Sequence, residues 1–449
     1  MSELEEYRVL LAQPPTRQIF LAEECGKLRV PRVAIPKWAR PAETLTEAVD
    51  KKWHVDAIVV DFLPGDSIQP DCAVLEIRQK DWRASNGDLI PVGADSAGVC
   101  GLSHRAEAAL QEILQGKCGS RGPFSRFGWV DDAQEWIKSA ITDREVCFTN
   151  QTRQLNACGT FALVRFATKC GRAYWLKAVG EPNAHEFAVT TYLAEHCPTY
   201  LPKLVCARGD WNAWVMQDGG QSLERPLPLP RVEEVVTQMA TVQTAFVGKT
   251  NDLLRCGCVD QRIEVLEAHV DQVITYLAEA MGLQTSTKVP RLSEARLREL
   301  AAILQAACSA MRALNIPDSL LHNDLNAGNV LFDESRCLFI DWAEAYVGNP
   351  FLIFPQLCSL ISCSEDTSLT WVQRLKTLYK GRWSSLLTDS QVDRAFVLTP
   401  ILAVLSHLYG RGSWLRSPLG EDSHIQGFRR SLARYMDRAA QSPDLLEVL

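Results

Sequence analysis

The 449-residue chain has no long apolar run, no excess of positive charge and no cysteine spacing suited to a metal knuckle. Each absence excludes something. Without about eighteen consecutive apolar residues, the sequence predicts no membrane-spanning helix. Lysine and arginine total 47 against 54 aspartates and glutamates, a formal charge of −7, so nothing in the balance points to nucleic acid. The fifteen cysteines are odd in number and scattered singly, and Met1-Ser2-Glu3-Leu4-Glu5-Glu6 is acidic where an export signal is basic and then apolar. The expectation is a cytoplasmic protein whose cysteines are mostly small buried hydrophobes. Cys256-Gly-Cys258 is too tightly spaced, and too isolated, to build a zinc site. Internal repeats and low-complexity stretches are also missing.

What is present fits a globular protein of two to three domains, with 47% hydrophobic and 22% charged residues. Residues 7–141 alternate β-branched runs (Tyr7–Leu11, Gln18–Leu21, Ala57–Asp61, Cys72–Ile77) with Gly and Pro punctuation. Two stretches with apolar residues three and four apart, His104–Gly116 and Trp129–Ile141, predict helices. The predicted organisation is an α+β accessory domain over 1–145, a β-rich lobe over 146–222 and a helical lobe over 223–449. Arg225-Pro-Leu-Pro-Leu-Pro230 reads as a stiff connector into the last of these.

The chemistry concentrates in His322-Asn-Asp-Leu-Asn-Ala-Gly-Asn329, followed by Asp341 behind the apolar Leu338-Phe339-Ile340. Phosphoryl transfer from a nucleotide needs one carboxylate to orient an attacking hydroxyl, and an amide plus a second carboxylate to hold magnesium on the phosphates. Asp324 is the candidate base, and Asn329 and Asp341 are the candidate metal ligands. Glu344 is a further acid nearby, and His322 is expected to brace the loop. Asp324 or Asn329 alone would be an ordinary turn residue; five residues between them, then a strand–turn–strand leading to Asp341, is a much rarer combination.

This stretch resembles the catalytic loop of the protein-kinase-like superfamily, in its aminoglycoside phosphotransferase and choline kinase branch. The resemblance implies a bilobal fold, with a β-rich N-lobe and a helical C-lobe, preceded here by the separate α+β domain. It implies that Lys177, closing the hairpin Phe161–Phe166 and Ala173–Lys177, reaches the nucleotide phosphates and is held by Glu186 on the next helix. It places the single-glycine turn at Gly159 over the phosphates. It makes Met216, Gln217 and Asp218 the adenine-edge contacts, with Gly219-Gly220 turning the chain onward. ATP and Mg2+ are the implied cofactors, and a hydroxyl on a small polar molecule (an aminoglycoside, amino alcohol or sugar) is the implied acceptor. No protein-kinase activation loop or Ala-Pro-Glu signature follows Asp341, which favours a small-molecule kinase.

The first domain is similar in its order of elements to a Nudix domain, but Arg40–Asp50 carries only Glu43 and Glu47 where a Nudix hydrolase collects magnesium with paired acids. A degenerate Nudix-like domain without a hydrolase site, serving a protein partner or a homodimer, is the reading. Two alternatives stand beside the small-molecule kinase. One is a pseudokinase or nucleotide-binding regulatory module; the other is a kinase acting on a protein docked by the first domain.

Overall fold

Period-two burial builds the first sheet. In β1 (Leu4–Gln13) every residue from Val9 to Gln13 is buried, because consecutive side chains enter two different cores. Val9 and Leu11 join one cluster and Leu10 and Ala12 another. β2 (Gln18–Glu24), β3 (Lys27–Arg29), β4 (Arg32–Pro36), α1 (Pro41–Trp53), β5 (Ala57–Leu63), β6 (Cys72–Ile77), β7 (Ile90–Gly93) and α2 (His104–Leu114) follow. The sheet runs β3-β2-β1-β6-β5, with β4 paired to β1 and β7 to β2, and β1 and β6 are parallel. Helix α1 buries Ala42, Leu45, Val49 and Trp53 on one face, and α2 buries Ala106, Ala109, Leu110 and Ile113 on the other.

This computed structural model describes residues 3–16, 18–65, 72–84, 88–93, 101–116, 121–141, 146–223, 226–333, 336–361, 368–410 and 423–449. The chain divides into two compact units, Met1–Phe187 with Lys203–Asp218, and Ala188–Pro202 with Gly219–Leu449. The first unit therefore holds the first sheet together with a second one. After α3 (Trp129–Ala140) come β8 (Phe148–Ala157), β9 (Ala162–Thr168), β10 (Ala173–Ala178), α4 (Glu186–His196), β11 (Leu204–Arg208) and β12 (Ala213–Gln217). The five strands form an antiparallel sheet in the order β11-β12-β10-β9-β8.

The helical periodicity over Trp129–Ile141 is present as predicted, but the face it buries belongs to the second sheet. Trp129, Val130, Ala133 and Ile137 pack with Val164, Phe166, Leu176 and Val215. Its start is fixed from the first sheet: buried Glu76 accepts the Gly128 N–H at 2.8 Å, and Arg78 bonds Asp131 at 2.5 Å. Burial pushes the Glu76 carboxyl above its ordinary range, against the pull of that N–H and of Arg78. A second tie lies at the bulge between Val59 and Asp61 in β5. There the Gln154 side chain takes the place of a strand neighbour, accepting from Val59 N and donating to Val59 O, both at 2.8 Å.

The second unit is mostly helical, the strand-rich part giving way to helices as the α+β expectation has it. Its elements are β13 (Gln221–Ser222), α5 (Leu229–Phe246), α6 (Thr250–Arg255), β14 (Val259–Gln261), α7 (Ile263–Ala268), α8 (Val270–Gly282), α9 (Glu294–Ala313), β15 (Ser319–Leu321), β16 (Val330–Phe332), β17 (Cys337–Phe339), β18 (Tyr346–Gly348), α10 (Phe354–Cys358), α11 (Ser368–Trp383), α12 (Asp389–Gly410), α13 (Ser423–Ala440) and α14 (Pro443–Val448). Two three-stranded sheets, β13-β16-β17 and β14-β18-β15, are embedded among the helices. The proline connector is shorter than predicted, since Pro228 caps α5 and Pro230 sits in its first turn, where a missing N–H costs nothing. Arg225 lies outside the described residues.

Among the described residues one helix, α12, is long and apolar enough to cross a membrane by length and composition. The sequence reading missed it because polar Thr399 and Ser406 and Pro400 interrupt every consecutive run. Its apolar window is 61% buried inside the protein, with Leu398, Leu402 and Leu405 in the core of this unit. Cys72, Cys197, Cys258, Cys308 and Cys337 are buried among hydrophobes, whereas Cys25, Cys147 and Cys170 are exposed.

Candidate functional site

In the first unit, antiparallel register places Lys177 of β10 opposite Leu163 of β9 and Trp214 of β12. Its ammonium donates to Glu186 Oε1 at 2.5 Å and stands 5.7 Å from the Trp214 ring centroid. Glu186 opens α4 and is 1% exposed. A carboxylate this deep is tolerable only beside a cation, so the pair fixes the lysine head at the end of its strand. The sequence placed these two residues together, and the structure does so.

The hinge residues are arranged differently from the expectation. Met216 and Gln217 finish β12, an inner strand, and both are half-buried with Asp218. The Gln217 N–H donates to Lys203 O and the Asp218 N–H to Ala173 O, each at 2.9 Å. The Asp218 carboxylate takes Arg165 Nε and Nη2 at 2.9 and 2.8 Å. Those two amides are committed to the sheet and are not the donors to an adenine edge. Gly220 has φ of +108°, and a Cβ there would lie 2.3 Å from Phe332 O, so the turn after the strand does demand glycine.

Gly159 is a clearer correction. It is buried, and a Cβ on it would lie 1.7 Å from Arg121 O. Its carbonyl accepts the Phe124 N–H at 3.1 Å. The residue is glycine because another backbone passes directly over it, not because it lies open for a phosphate.

In the second unit, the loop from His322 to Asn329 joins the two small sheets, leaving β15 and entering β16. The Asn329 amide nitrogen donates to Asp324 O at 2.8 Å and to Asp324 Oδ2 at 3.0 Å. Asn326 Nδ2 donates to Asp324 Oδ1 at 3.2 Å, while Asn326 Oδ1 accepts the Gly328 N–H at 2.8 Å. Both carboxylate oxygens of Asp324 thus accept from amides, which set its direction without neutralising it. The fully buried His322 places Nε2 2.9 Å from Ile340 O and its ring 4.5 Å from that of Trp342, the bracing role expected of it.

Asp341 follows β17 in the left-handed region, φ 65° and ψ 66°. Such a conformation is costly for a residue with a side chain and marks a position the surroundings enforce. The enforcing contact is next to it, where the Ile340 N–H donates to Asn329 O at 3.1 Å. Because the Asn329 nitrogen is committed to Asp324, its amide oxygen is the group left to meet a cation. Among the described residues no group of three or more His, Cys, Asp or Glu could hold a metal. One carboxylate and one amide oxygen suit magnesium, which keeps its waters and takes the remaining ligands from phosphate.

The sequence reading missed Gln356 on α10. Its Oε1 accepts the Leu325 N–H at 3.2 Å and its Nε2 donates to Asn323 Oδ1 at 3.4 Å, so one side chain grips both neighbours of Asp324. Asn323 has φ of 60° and also donates to Glu344 Oε2 at 3.3 Å. A glutamine 32 residues downstream, in a helix of five residues, carries no local signal of this role. The acids Glu264 and Glu267 of α7 and Asp271 of α8 do not form one helix face: Glu267 is paired with Arg312, Glu264 lies 3.4 Å from Arg262, and Asp271 is exposed.

Residues 176–352 match the model of a phosphotransferase enzyme family. The match covers less than half of the chain; it spans Lys177, Glu186, Asp324, Asn329 and Asp341, and it begins after Gly159. Similar solved structures include a macrolide 2′-phosphotransferase from Brachybacterium faecium (13% identity, 70% of this chain and 99% of that one, TM-score 0.43). A choline/ethanolamine kinase family protein from Mesorhizobium loti is similar at 15% identity over 71% of this chain and 98% of that one, TM-score 0.44. A choline kinase from Streptococcus pneumoniae is similar at 14% identity over 71% and 99%, TM-score 0.41. No curated protein sequence matches the chain.

Proposed function

We propose that this phosphotransferase moves the γ-phosphate of ATP, with magnesium, to a hydroxyl of a small polar molecule such as an aminoglycoside, an amino alcohol or a sugar-like compound. The observation that carries the reading is the Asn329 amide, whose nitrogen donates both to Asp324 O and to Asp324 Oδ2 and so orients that carboxylate. Asp324 would accept a hydrogen bond from the acceptor hydroxyl and aim its oxygen in line with the γ-phosphorus. Lys177, held by Glu186, would neutralise negative charge on the nucleotide phosphates. Asn329 and Asp341 would hold the magnesium ion, whose positive charge polarises the phosphates when it is bound.

Asp324→Asn tests the reading, since it keeps shape and removes the charge that orients the hydroxyl. We expect kcat for nucleotide-dependent transfer to fall about 10³-fold, within the range of general acid–base contributions, with Mg·ATP affinity measured by calorimetry unchanged. The acceptor panel is read by ADP release. Full activity in the variant would remove Asp324 from the chemistry, and a wild-type protein whose melting midpoint ignores Mg·ATP at millimolar concentration would remove the nucleotide site.

A further inference from the structure

The residues preceding α3 are built onto the turn that joins β8 to β9. That turn is closed by the Cys158 N–H donating to Phe161 O at 3.0 Å. Strand register then sets its place relative to Lys177. Ala157 pairs with Ala162, Ala162 pairs with Ala178, and Leu163 pairs with Lys177. The turn therefore caps the end of the sheet at which the Lys177–Glu186 pair stands.

A segment from outside this sheet lies on the turn. The Phe124 N–H donates to Gly159 O at 3.1 Å. Gly122, with φ of +108°, and Gly159 approach so closely that a Cβ on Gly122 would lie 2.2 Å from Gly159 O. The segment is itself locked from below by Asp61 of β5, which is 2% exposed. Arg121 donates to Asp61 Oδ2 from Nε at 2.9 Å and Nη2 at 2.7 Å, and from Nη2 to Phe62 O at 3.1 Å. The buried Ser125 hydroxyl also bonds Asp61 Oδ2, and Asp61 Oδ1 accepts the Phe62 N–H at 2.8 Å. On the far side, Thr160 packs against Gly180, three residues beyond Lys177 in the chain.

We infer that residues 121–125, anchored on Asp61, are a positioning element for nucleotide binding: they hold the β8–β9 turn in one conformation beside Lys177. This rests on the proposed function, since it assigns the turn to the nucleotide's side of the reaction. A turn of this kind in isolation is mobile, and ordering it on binding costs conformational entropy. Here that entropy is removed in advance by a buried charge pair, a backbone hydrogen bond and a glycine-on-glycine contact. The first sheet is on this reading a fixed part of the catalytic half, and its Arg121, Ser125 and Asp61 act through Gly159 rather than by touching substrate.

The test is calorimetric titration of the full chain with Mg·ATP, alongside KM and kcat, for Arg121→Gln, Arg121→Lys and Ser125→Ala. We expect Arg121→Gln to weaken Mg·ATP at least tenfold and raise its KM to match, with kcat within about twofold of the wild type. Arg121→Lys, which keeps the charge, should recover most of the loss. Ser125→Ala should weaken binding about threefold, and carries the test if Arg121→Gln does not fold. A lower melting midpoint in these variants with Mg·ATP affinity and KM unchanged would overturn the inference and leave a structural staple. Absence of Mg·ATP binding in the wild type would instead overturn the proposed function and this inference with it.

Discussion

The Lys177–Glu186 pair and the Asp324 loop hold their charges by opposite means. In the first, a cation is fixed by a nearly fully buried anion, at 2.5 Å and with the lysine side chain only 17% exposed. In the second, a half-buried anion is fixed by neutral amides, Asn329 and Asn326. A buried ion pair is costly to break, because removing one member strands the other in a poorly solvated place. An amide-bonded carboxylate loses orientation when a partner is removed, but it is left in contact with water and keeps its charge. The first arrangement therefore couples the role proposed for Lys177 to stability, and the second separates the role proposed for Asp324 from it.

Glu186→Ala is the sharpest way to break this contrast. It should destabilise the protein by about 3–5 kcal/mol, as expected for one partner of a buried pair, and lower kcat/KM for the nucleotide about 10²-fold as the Lys177 head loses its place. The checks are a urea unfolding midpoint and steady-state kinetics on the same preparation. A variant that loses activity at wild-type stability would mean that the glutamate is not the lysine's anchor.

Gln356→Ala probes the other arrangement and should cost less. Its two hydrogen bonds, at 3.2 and 3.4 Å, are long, and a neutral bond contributes about 1 kcal/mol. Loss of both grips on the neighbours of Asp324 should lower kcat about tenfold, leave nucleotide KM within about twofold and leave the unfolding midpoint nearly unchanged. Gln356→Glu, which keeps the acceptor for Leu325 N–H but loses the donor to Asn323, should fall between. An equal rise in KM would show that the loop as a whole has moved.

Both arrangements were legible in the sequence. Lys177 and Glu186 are nine residues apart at a strand end and a helix start, and Asp324, Asn329 and Asp341 sit in one strand–turn–strand frame, so local patterning brings each set together. What the sequence concealed came from long-range packing. Gly159 reads as an open loop glycine, and only the passage of Arg121 and Gly122 over it shows otherwise. The apolar face of α3 is plain in the residue pattern, yet nothing in that pattern tells which of two sheets it covers. The N–H groups of Gln217 and Asp218 belong to the backbone, whose partners no side-chain pattern records.

The last expected effect, on stability alone, concerns an acid of the second unit that lacks what Glu186 has. Asp318, just before β15, is pushed up to about 6, first by burial and then by the charge of Glu264, with Arg262 pulling the other way. Arg262 offers little relief, because its guanidinium is bonded to Asp260 at 2.9 and 2.7 Å. A carboxyl raised in the folded state binds its proton more tightly there than in the unfolded chain. Its contribution to stability is therefore full below the ordinary carboxylate value near 3.8 and is lost as pH rises through about 6. Asp318→Asn removes the titration. The variant should match the wild type in urea at pH 4 and exceed it at pH 7.5 by roughly 2 kcal/mol, with kcat unchanged. An equal difference at both pH values would assign the effect to packing, and a wild-type advantage at pH 7.5 would mean that Arg262 compensates Asp318 as fully as Lys177 does Glu186.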